Sequence, residues 1–351
     1  MNFSNTLIYW YLQNNRELPW RKTKDPYLVW LSEIMLQQTR IAQGLSYYLK
    51  FSEAFPKVEN LANAEESTVL KMWQGLGYYS RARNLHFTAK YITQDLQGVF
   101  PSTYKELLKL KGVGDYTASA IASICFDEPT AVVDGNVYRV LARYFGIHTP
   151  INSTKGIKEF KALAQSMIDV EQPGTFNQAI MDFGSLQCKP QNPNCEECPI
   201  NNSCVANEKG LTKILPIKEK KIKIKNRFFN YLVFVTEDGT TELEERKGKG
   251  IWQGMYQFPL IETAKEVAES TLITMEAFQQ KVPSKSKIQL YNKDAIVHKL
   301  SHQHLHTRFW IIKLKENTKA TIHWYDIEKY PVPVLISNFI EDFNKKSHNF
   351  F

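Results

Sequence analysis

Four cysteines, Cys188, Cys195, Cys198 and Cys204, fall in one short stretch at the spacing C-x6-C-x2-C-x5-C. Intervals of that length let a chain wrap around a bulky cubic cluster held by four thiolates. A structural zinc site more often uses two tight Cys-x-x-Cys or His pairs, and Cys195/Cys198 is the single such pair here. The spacing favours an iron–sulfur cluster over zinc or unliganded thiols. Disulfides are disfavoured, because the opening Met1–Gln13 lacks the basic-then-apolar pattern of a secretory signal. The fifth cysteine, Cys125, lies in the apolar stretch 118–126 and reads as core.

Two carboxylates stand out next. Glu33 interrupts Tyr27-Leu28-Val29-Trp30-Leu31-Ser32-Glu33-Ile34-Met35-Leu36, a run that is otherwise almost wholly apolar. A carboxyl desolvated on such a helix has a raised pKa, which makes a general acid available near neutral pH. A buried Glu satisfied by a neighbouring backbone or hydroxyl group is the equal alternative. Asp134 precedes Gly135-Asn136-Val137-Tyr138-Arg139, where an Asp is most simply a helix N-cap. The same position holds a carboxylate ionised and able to face a cationic transition state. One neutral acid and one carboxylate are the parts that glycosidic-bond cleavage needs.

These groups need elements to hold them. The chain has 351 residues, enough for two domains, and a net charge of +8 with a pI near 9.0, which suits a polyanionic partner without proving one. No 18-residue apolar run is present, so no membrane span is expected. Residues 1–187 read as helical, with Val137, Val140, Leu141, Tyr144 and Phe145 at helical spacing and breaks at Gly75-Leu76-Gly77, Gly112-Val113-Gly114 and Pro173-Gly174. Gly112-Val113-Gly114 lies between helices expected at 104–110 and 115–126. It allows a tight turn that bares backbone amides at a helix N-terminus, a grip for phosphate, although an ordinary helix–helix turn has the same pattern. The stretch 213–227 holds seven basic residues and one acid, Glu219, and reads as a solvated linker. Beyond it, strands are expected at 228–235, 308–314 and 321–325, a hairpin turn at Asp238-Gly239, and helices at 263–280 and 327–344. The back of the chain is thus α+β and distinct from the front.

Together these pieces resemble the helix–hairpin–helix DNA glycosylase superfamily, and within it the adenine DNA glycosylases of the MutY type. The resemblance rests on Leu18-Pro19-Trp20, on 30–39 (WLSEIMLQQT), on 75–85 (GLGYYSRARNL), on Gly112-Val113-Gly114, on Asp134-Gly135-Asn136-Val137 and on the four cysteines. It implies a mainly α N-terminal helix–hairpin–helix domain (1–187), a [4Fe-4S] cluster loop (188–204), a basic linker (205–227) and an α+β Nudix-like domain (228–351). It further implies that Glu33 protonates N7 of a flipped-out adenine, that Asp134 stabilises the oxocarbenium-like sugar, and that Asn136 positions the site. Trp20 and Arg21 would line the adenine pocket. Gln38 and Thr39 would enter the minor groove near the opposing base, with Leu76 and Tyr78 at the base stack. Gly112 and Gly114 would grip phosphate, with a monovalent cation allowed at the hairpin.

Bifunctional relatives in the superfamily carry a Lys two residues after the second hairpin glycine, and this chain has Tyr116. An amine there forms a Schiff base and cuts the strand; a phenol does not. The segment 250–259 (GIWQGMYQFP) resembles the Nudix-like domain, and no Arg-Glu-x-x-Glu-Glu helix accompanies it, so recognition rather than hydrolysis is expected. Leu300-Ser301-His302 resembles the family's Phe-Ser-His loop that probes 8-oxoguanine, with Leu300 in place of Phe. The expected partner is double-stranded DNA containing adenine opposite 8-oxoguanine or guanine. The protein is expected to act as a monomer, free of membranes and associated with the nucleoid. Four histidines between His298 and His306 leave a metal site as a lesser reading.

Overall fold

The computed structural model describes residues 2–219, 224–284, 286–315 and 319–346. The chain forms two compact units. One joins residues 1–63 to 84–220, and the other joins 64–83 to 221–351.

The first unit is helical and is built around Pro26–Leu36. Asp25 caps this helix by accepting from the Tyr27 amide at 2.9 Å, and Pro26 supplies a preset φ at its first turn. A helix apolar on all sides has to be surrounded, and Tyr27 and the run Val29–Met35 are all buried. Asp115–Phe126 packs on one side of it and Ile41–Ala54 on another. Pro173–Leu186 then packs against Asp115–Phe126, Gly135–Phe145 and Phe3–Asn14. Trp30, Phe51, Phe160, Phe176 and Phe183 are the largest side chains of this core.

The hairpin expected at 104–126 has one short arm: its first helix covers Tyr104–Leu107 and then unwinds through turns before Asp115–Phe126 begins. Residues 213–219 of the basic stretch pack on the helical unit. Leu215 is buried and its carbonyl accepts from Arg143 Nε at 3.1 Å, and Ile217 O accepts from the Ile151 amide at 3.0 Å. Residues 220–223 lie outside the described residues, and Lys225 already opens a long strand.

The second unit is a mixed sheet. Strand Lys225–Thr236 runs parallel to Gln303–Leu314 and antiparallel to Leu260–Thr263, while Lys287–Leu290 and Ile296–Lys299 both pair antiparallel with Gln303–Leu314. Both faces are covered, so residues 229–235 are buried throughout. Tyr231 and Phe309 stack on the face where Phe309 lies 3.9 Å from Phe339 of helix Val334–Lys346. Leu232, Phe234, Trp310 and Ile312 form the opposite core with Leu272 and Phe278.

Four expectations change here. The helix expected at 263–280 is two single turns, Glu269–Leu272 and Glu276–Gln279; β-branched Thr271, Ile273 and Thr274 weaken a continuous helix. The helix expected from 327 starts at Val334, because Pro331 and Pro333 forbid an earlier start, and a 3-10 turn over Trp324–Lys329 shortens the strand expected at 321–325 to Ile322–His323. Gly239 does turn the chain at φ 73°, and Thr240 comes back onto Thr236 Oγ1, yet the strand that Thr240–Thr241 pairs with is Ile322–His323.

Candidate active site

A cavity of about 440 Å³ opens in the helical unit beside the central helix. Glu33, Asp134, Asn136, Tyr116, Trp20, Arg21 and Thr39 all line it. They arrive on several separate supports. Trp20 and Arg21 come from the 3-10 turn Pro19–Arg21, whose Trp20 ring meets Tyr48 edge-on at 4.9 Å. Tyr116 stands in the first turn of Asp115–Phe126. Asp134 is the N-cap of Gly135–Phe145, its carboxylate accepting from the Asn136 and Val137 amides and from Asn136 Nδ2, each at 2.8 Å. The N-cap and the cavity-lining readings of Asp134 are therefore compatible. The extended chain leading to it is pinned by buried Asn177, which accepts from Val132 N and donates to Thr130 O.

Asn136 is held from behind. Arg139 Nη2 donates to Asn136 Oδ1 at 2.8 Å and to Gly184 O at 2.6 Å, and Arg139 Nε donates to Cys188 O at 2.8 Å. Gly184 permits this approach: a Cβ there would sit 2.7 Å from Asn136 Cβ and 2.9 Å from Asn136 O.

Burial is the leading cause of the Glu33 shift, and the Asp134 charge adds to it; the Tyr116 hydrogen bond and the Arg21 charge pull the other way, leaving the carboxyl at about 7. Burial also pushes Asp134 above its ordinary value, against the amide and side-chain bonds from Val137 and Asn136 and the charge of Arg139. Three donors thus favour ionised Asp134, whereas Glu33 has the hydroxyl of Tyr116. Tyr116 is driven well above the usual phenol range by burial and by both carboxylates, and its hydroxyl also lies 3.1 Å from Met181 Sδ.

Asp182, Arg16 and Gln178 line the same cavity and were not singled out from the sequence. Asp182 interrupts the apolar stretch 179–186 (AIMDFGSL) much as Glu33 interrupts its own helix, so the signal was there. Gln38 is outside the lining set. It and Tyr78 both occupy the left-handed region, at φ 56° and 48°, an uncommon conformation for residues other than glycine. Gly112, at φ 84°, makes the hairpin turn, and a Cβ on Gly114 would meet nothing within 4 Å, leaving the uncapped start of Asp115–Phe126 open to a ligand.

The four cysteines surround a second, small cavity of about 30 Å³, and Arg143 Nη1 donates to Cys188 Sγ at 3.4 Å. Burial raises the thiols of Cys195, Cys204 and Cys198, the last to about 11. Among the described residues no three His, Cys, Asp or Glu side chains converge as ligands of one ion would. Four thiolates around a common cavity are donors that could hold a cluster of several irons. Cys125 is half-buried, and burial raises it to about 12.

The remaining predicted residues lie in the other unit. Leu76 is 4% exposed, so its side chain is unavailable at the surface; the neighbouring Tyr78 is 47% exposed. The Tyr78 hydroxyl hydrogen-bonds to the Ser301 hydroxyl. Ser301 and His302 are exposed at the turn between Ile296–Lys299 and Gln303–Leu314. The segment 64–83 is tied to this unit by Arg83 Nη1 donating to Gln253 O at 2.6 Å and Lys71 Nζ to Tyr330 O at 3.3 Å. Two of the four nearby histidines have packing duties: His306 stacks on Phe228, and half-buried His298 lies against Trp252.

A model of the HhH-GPD superfamily base excision DNA repair proteins matches residues 31–165, one of the iron–sulfur binding domain of endonuclease III matches 188–204, and one of the NUDIX domain matches 230–342. The chain is 36% identical over 345 residues to the adenine DNA glycosylase of Buchnera aphidicola subsp. Baizongia pistaciae (strain Bp), covering 95% of this chain and 94% of that one. It is 34% identical over 336 residues to the adenine DNA glycosylase of Buchnera aphidicola subsp. Schizaphis graminum (strain Sg), covering 93% of each. Among solved structures, a thermostable thymine-DNA glycosylase superposes with a TM-score of 0.55 at 32% identity, over 59% of this chain and 95% of that one.

Proposed function

This chain belongs to the adenine DNA glycosylase family, and from that premise we propose that it hydrolyses the N-glycosidic bond of adenine paired with 8-oxoguanine or guanine in double-stranded DNA. It is a base-excision glycosylase that removes adenine, and it carries an iron–sulfur site. The observation that supports the finer reading is the pairing of Glu33 and Asp134 in one cavity, the first carried by burial to about 7 and the second kept among three donors.

In this reading the base leaves the stack and enters the cavity against Trp20 and Arg21. Glu33 gives its proton to N7 as the bond from N9 to C1′ breaks. Asp134, positioned with Asn136, stabilises the cationic sugar. Water then adds to C1′ and returns a proton to the Glu33 carboxylate, so the acid is regenerated and an abasic site is left. Tyr116 donates to Glu33 and offers no amine for a Schiff base, so the enzyme is monofunctional.

Cys188, Cys195, Cys198 and Cys204 would hold one [4Fe-4S] cluster, which shapes its loop and the backbone around Lys189 for phosphate contact. The helical unit and that loop carry the chemistry, and the unit that joins 64–83 to the sheet of 225–346 reads the opposing base. Gly112 and Gly114 present amides to phosphate, with a monovalent cation at the hairpin. Gln38, Thr39 and Tyr78 contact the DNA around the mispair while buried Leu76 packs within its unit, and Ser301 and His302 donate or accept at the edge where 8-oxoguanine differs from guanine.

The test is single-turnover adenine release by the monomeric protein from duplexes with adenine opposite 8-oxoguanine, guanine or thymine, run with borohydride trapping. Fastest release opposite 8-oxoguanine with no trapped adduct is expected. Equal rates on all three duplexes, or a strong adduct, would overturn the reading.

A further inference from the structure

Glu33 has to keep a proton, yet its cavity also contains Arg16, Arg21 and Arg40. A guanidinium that closed on Glu33 would hold the carboxyl ionised and leave no acid. Arg21 is within electrostatic reach of Glu33. What keeps it from pairing there is another residue of the same cavity lining. Asp182 is fully buried in Pro173–Leu186, and both its oxygens take Arg21, Oδ2 from Nη1 and Oδ1 from Nη2, each at 2.6 Å. Arg16 Nη2 also donates to Asp182 Oδ1. Arg21 lies over the Tyr11 ring, 5.6 Å from its centroid, and the Tyr11 hydroxyl is itself anchored to Gln178 Oε1.

We propose that Asp182 is a positioning residue for the glycosylase reaction: its buried carboxylate holds Arg21 and Arg16 in a fork on the cavity wall and withholds them from Glu33. This rests on Glu33 acting as the acid. Fork geometry is what makes the restraint directional, because two parallel bonds fix the guanidinium plane as well as its place. The other charged or titratable groups facing Glu33 do not do this work. Tyr116 donates to it, Asp134 adds repulsion, and Cys125 is held as a thiol by its own burial. Burial alone would raise Asp182, but the bonds and charges of Arg21 and Arg16 together lower it, so it stays ionised over the range in which Glu33 titrates.

The test compares the pH dependence of single-turnover adenine release in the full-length, cluster-loaded protein. Protonated Glu33 is the active form, so the wild-type rate falls as pH rises through about 7. In Asp182→Asn the freed Arg21 pairs with Glu33, and this alkaline limb should move down by about one unit. In Asp182→Glu, which keeps the charge, the limb should stay in place even where the rate drops. In Asp182→Asn/Arg21→Gln it should return towards the wild-type position. Arg21→Gln alone should move it upward, which keeps the proposal testable if Asp182→Asn does not fold. An unmoved limb in Asp182→Asn or Arg21→Gln, or a shift that persists in Asp182→Asn once both Arg21 and Arg16 are also replaced by Gln, overturns the proposal. Full activity in Glu33→Gln would instead overturn the assignment of the acid, so the two failures are distinguishable.

Discussion

The two units present their candidate functional residues in opposite ways. In the helical unit Glu33, Asp182 and Arg139 are buried: burial raises the Glu33 carboxyl, Arg21 and Arg16 hold Asp182 below its ordinary value, and Arg139 is anchored on Gly184 O. In the second unit Tyr78, Ser301 and His302 are exposed, on a glycine-flanked turn and the tip of a hairpin. Burial changes what a carboxyl is, since removing water disfavours its charge. Exposure leaves a hydroxyl within reach of an edge presented to it, with donor and acceptor capacity beyond the bond that Tyr78 and Ser301 share. In the proposed function, chemistry belongs with the first arrangement and recognition with the second.

The largest expected effect breaks the buried side. Glu33→Gln should slow adenine release by roughly 10²–10⁴-fold while DNA affinity is kept. It should also stabilise the fold at alkaline pH. The folded protein holds the Glu33 proton up to about 7, whereas an ordinary Glu releases it near 4.5, so the stabilisation from that proton is full below 4.5 and is lost as pH rises through 7. Glutamine escapes the loss, which amounts to on the order of 3 kcal/mol. Thermal unfolding of both proteins at acid and alkaline pH checks the sign.

Next comes the cluster loop. Iron and sulfide should each be present at about four per chain after anaerobic purification, and Cys198→Ser should lose visible absorbance and lower the melting temperature. Stoichiometric zinc without iron would contradict this.

Gly184→Ala sharpens the role of packing behind the site. The new Cβ collides with Asn136, and overpacking of this kind costs about 1–3 kcal/mol. Calorimetry should show that loss, with slower adenine release as Asn136 shifts. The smallest effect tests the exposed side. Tyr78→Phe/Ser301→Ala should lose about 1 kcal/mol of preference for 8-oxoguanine over guanine and leave release opposite guanine nearly unchanged. Rates on the two duplexes measure it.

Much of the helical unit was legible because burial writes itself into sequence. An uninterrupted apolar run with one carboxylate announced Glu33, and ligand spacing announced the cysteines. Asp182 carried the same mark and was passed over, since nothing local shows that Arg16 and Arg21 are its partners from more than 160 positions away. The second unit was harder. Its long strands stood out as apolar runs, but the turns at 269–272 and 276–279 mimic a helical pattern, and the partner of Thr240–Thr241 is a strand 80 residues later. Nor does composition show that 64–83 joins this unit, because its ties are single bonds such as Arg83 to Gln253 O.

Whether burial makes Glu33 the acid is measured most directly by its proton. Carbon-13 NMR of side-chain-labelled glutamate carboxyls, with the Glu33 resonance assigned by its absence in Glu33→Gln, follows that titration in the folded enzyme. A midpoint near 7 is expected. A midpoint near 4.5, the value of an ordinary glutamate, would mean that the carboxyl is already ionised at neutral pH and that the proton comes from elsewhere.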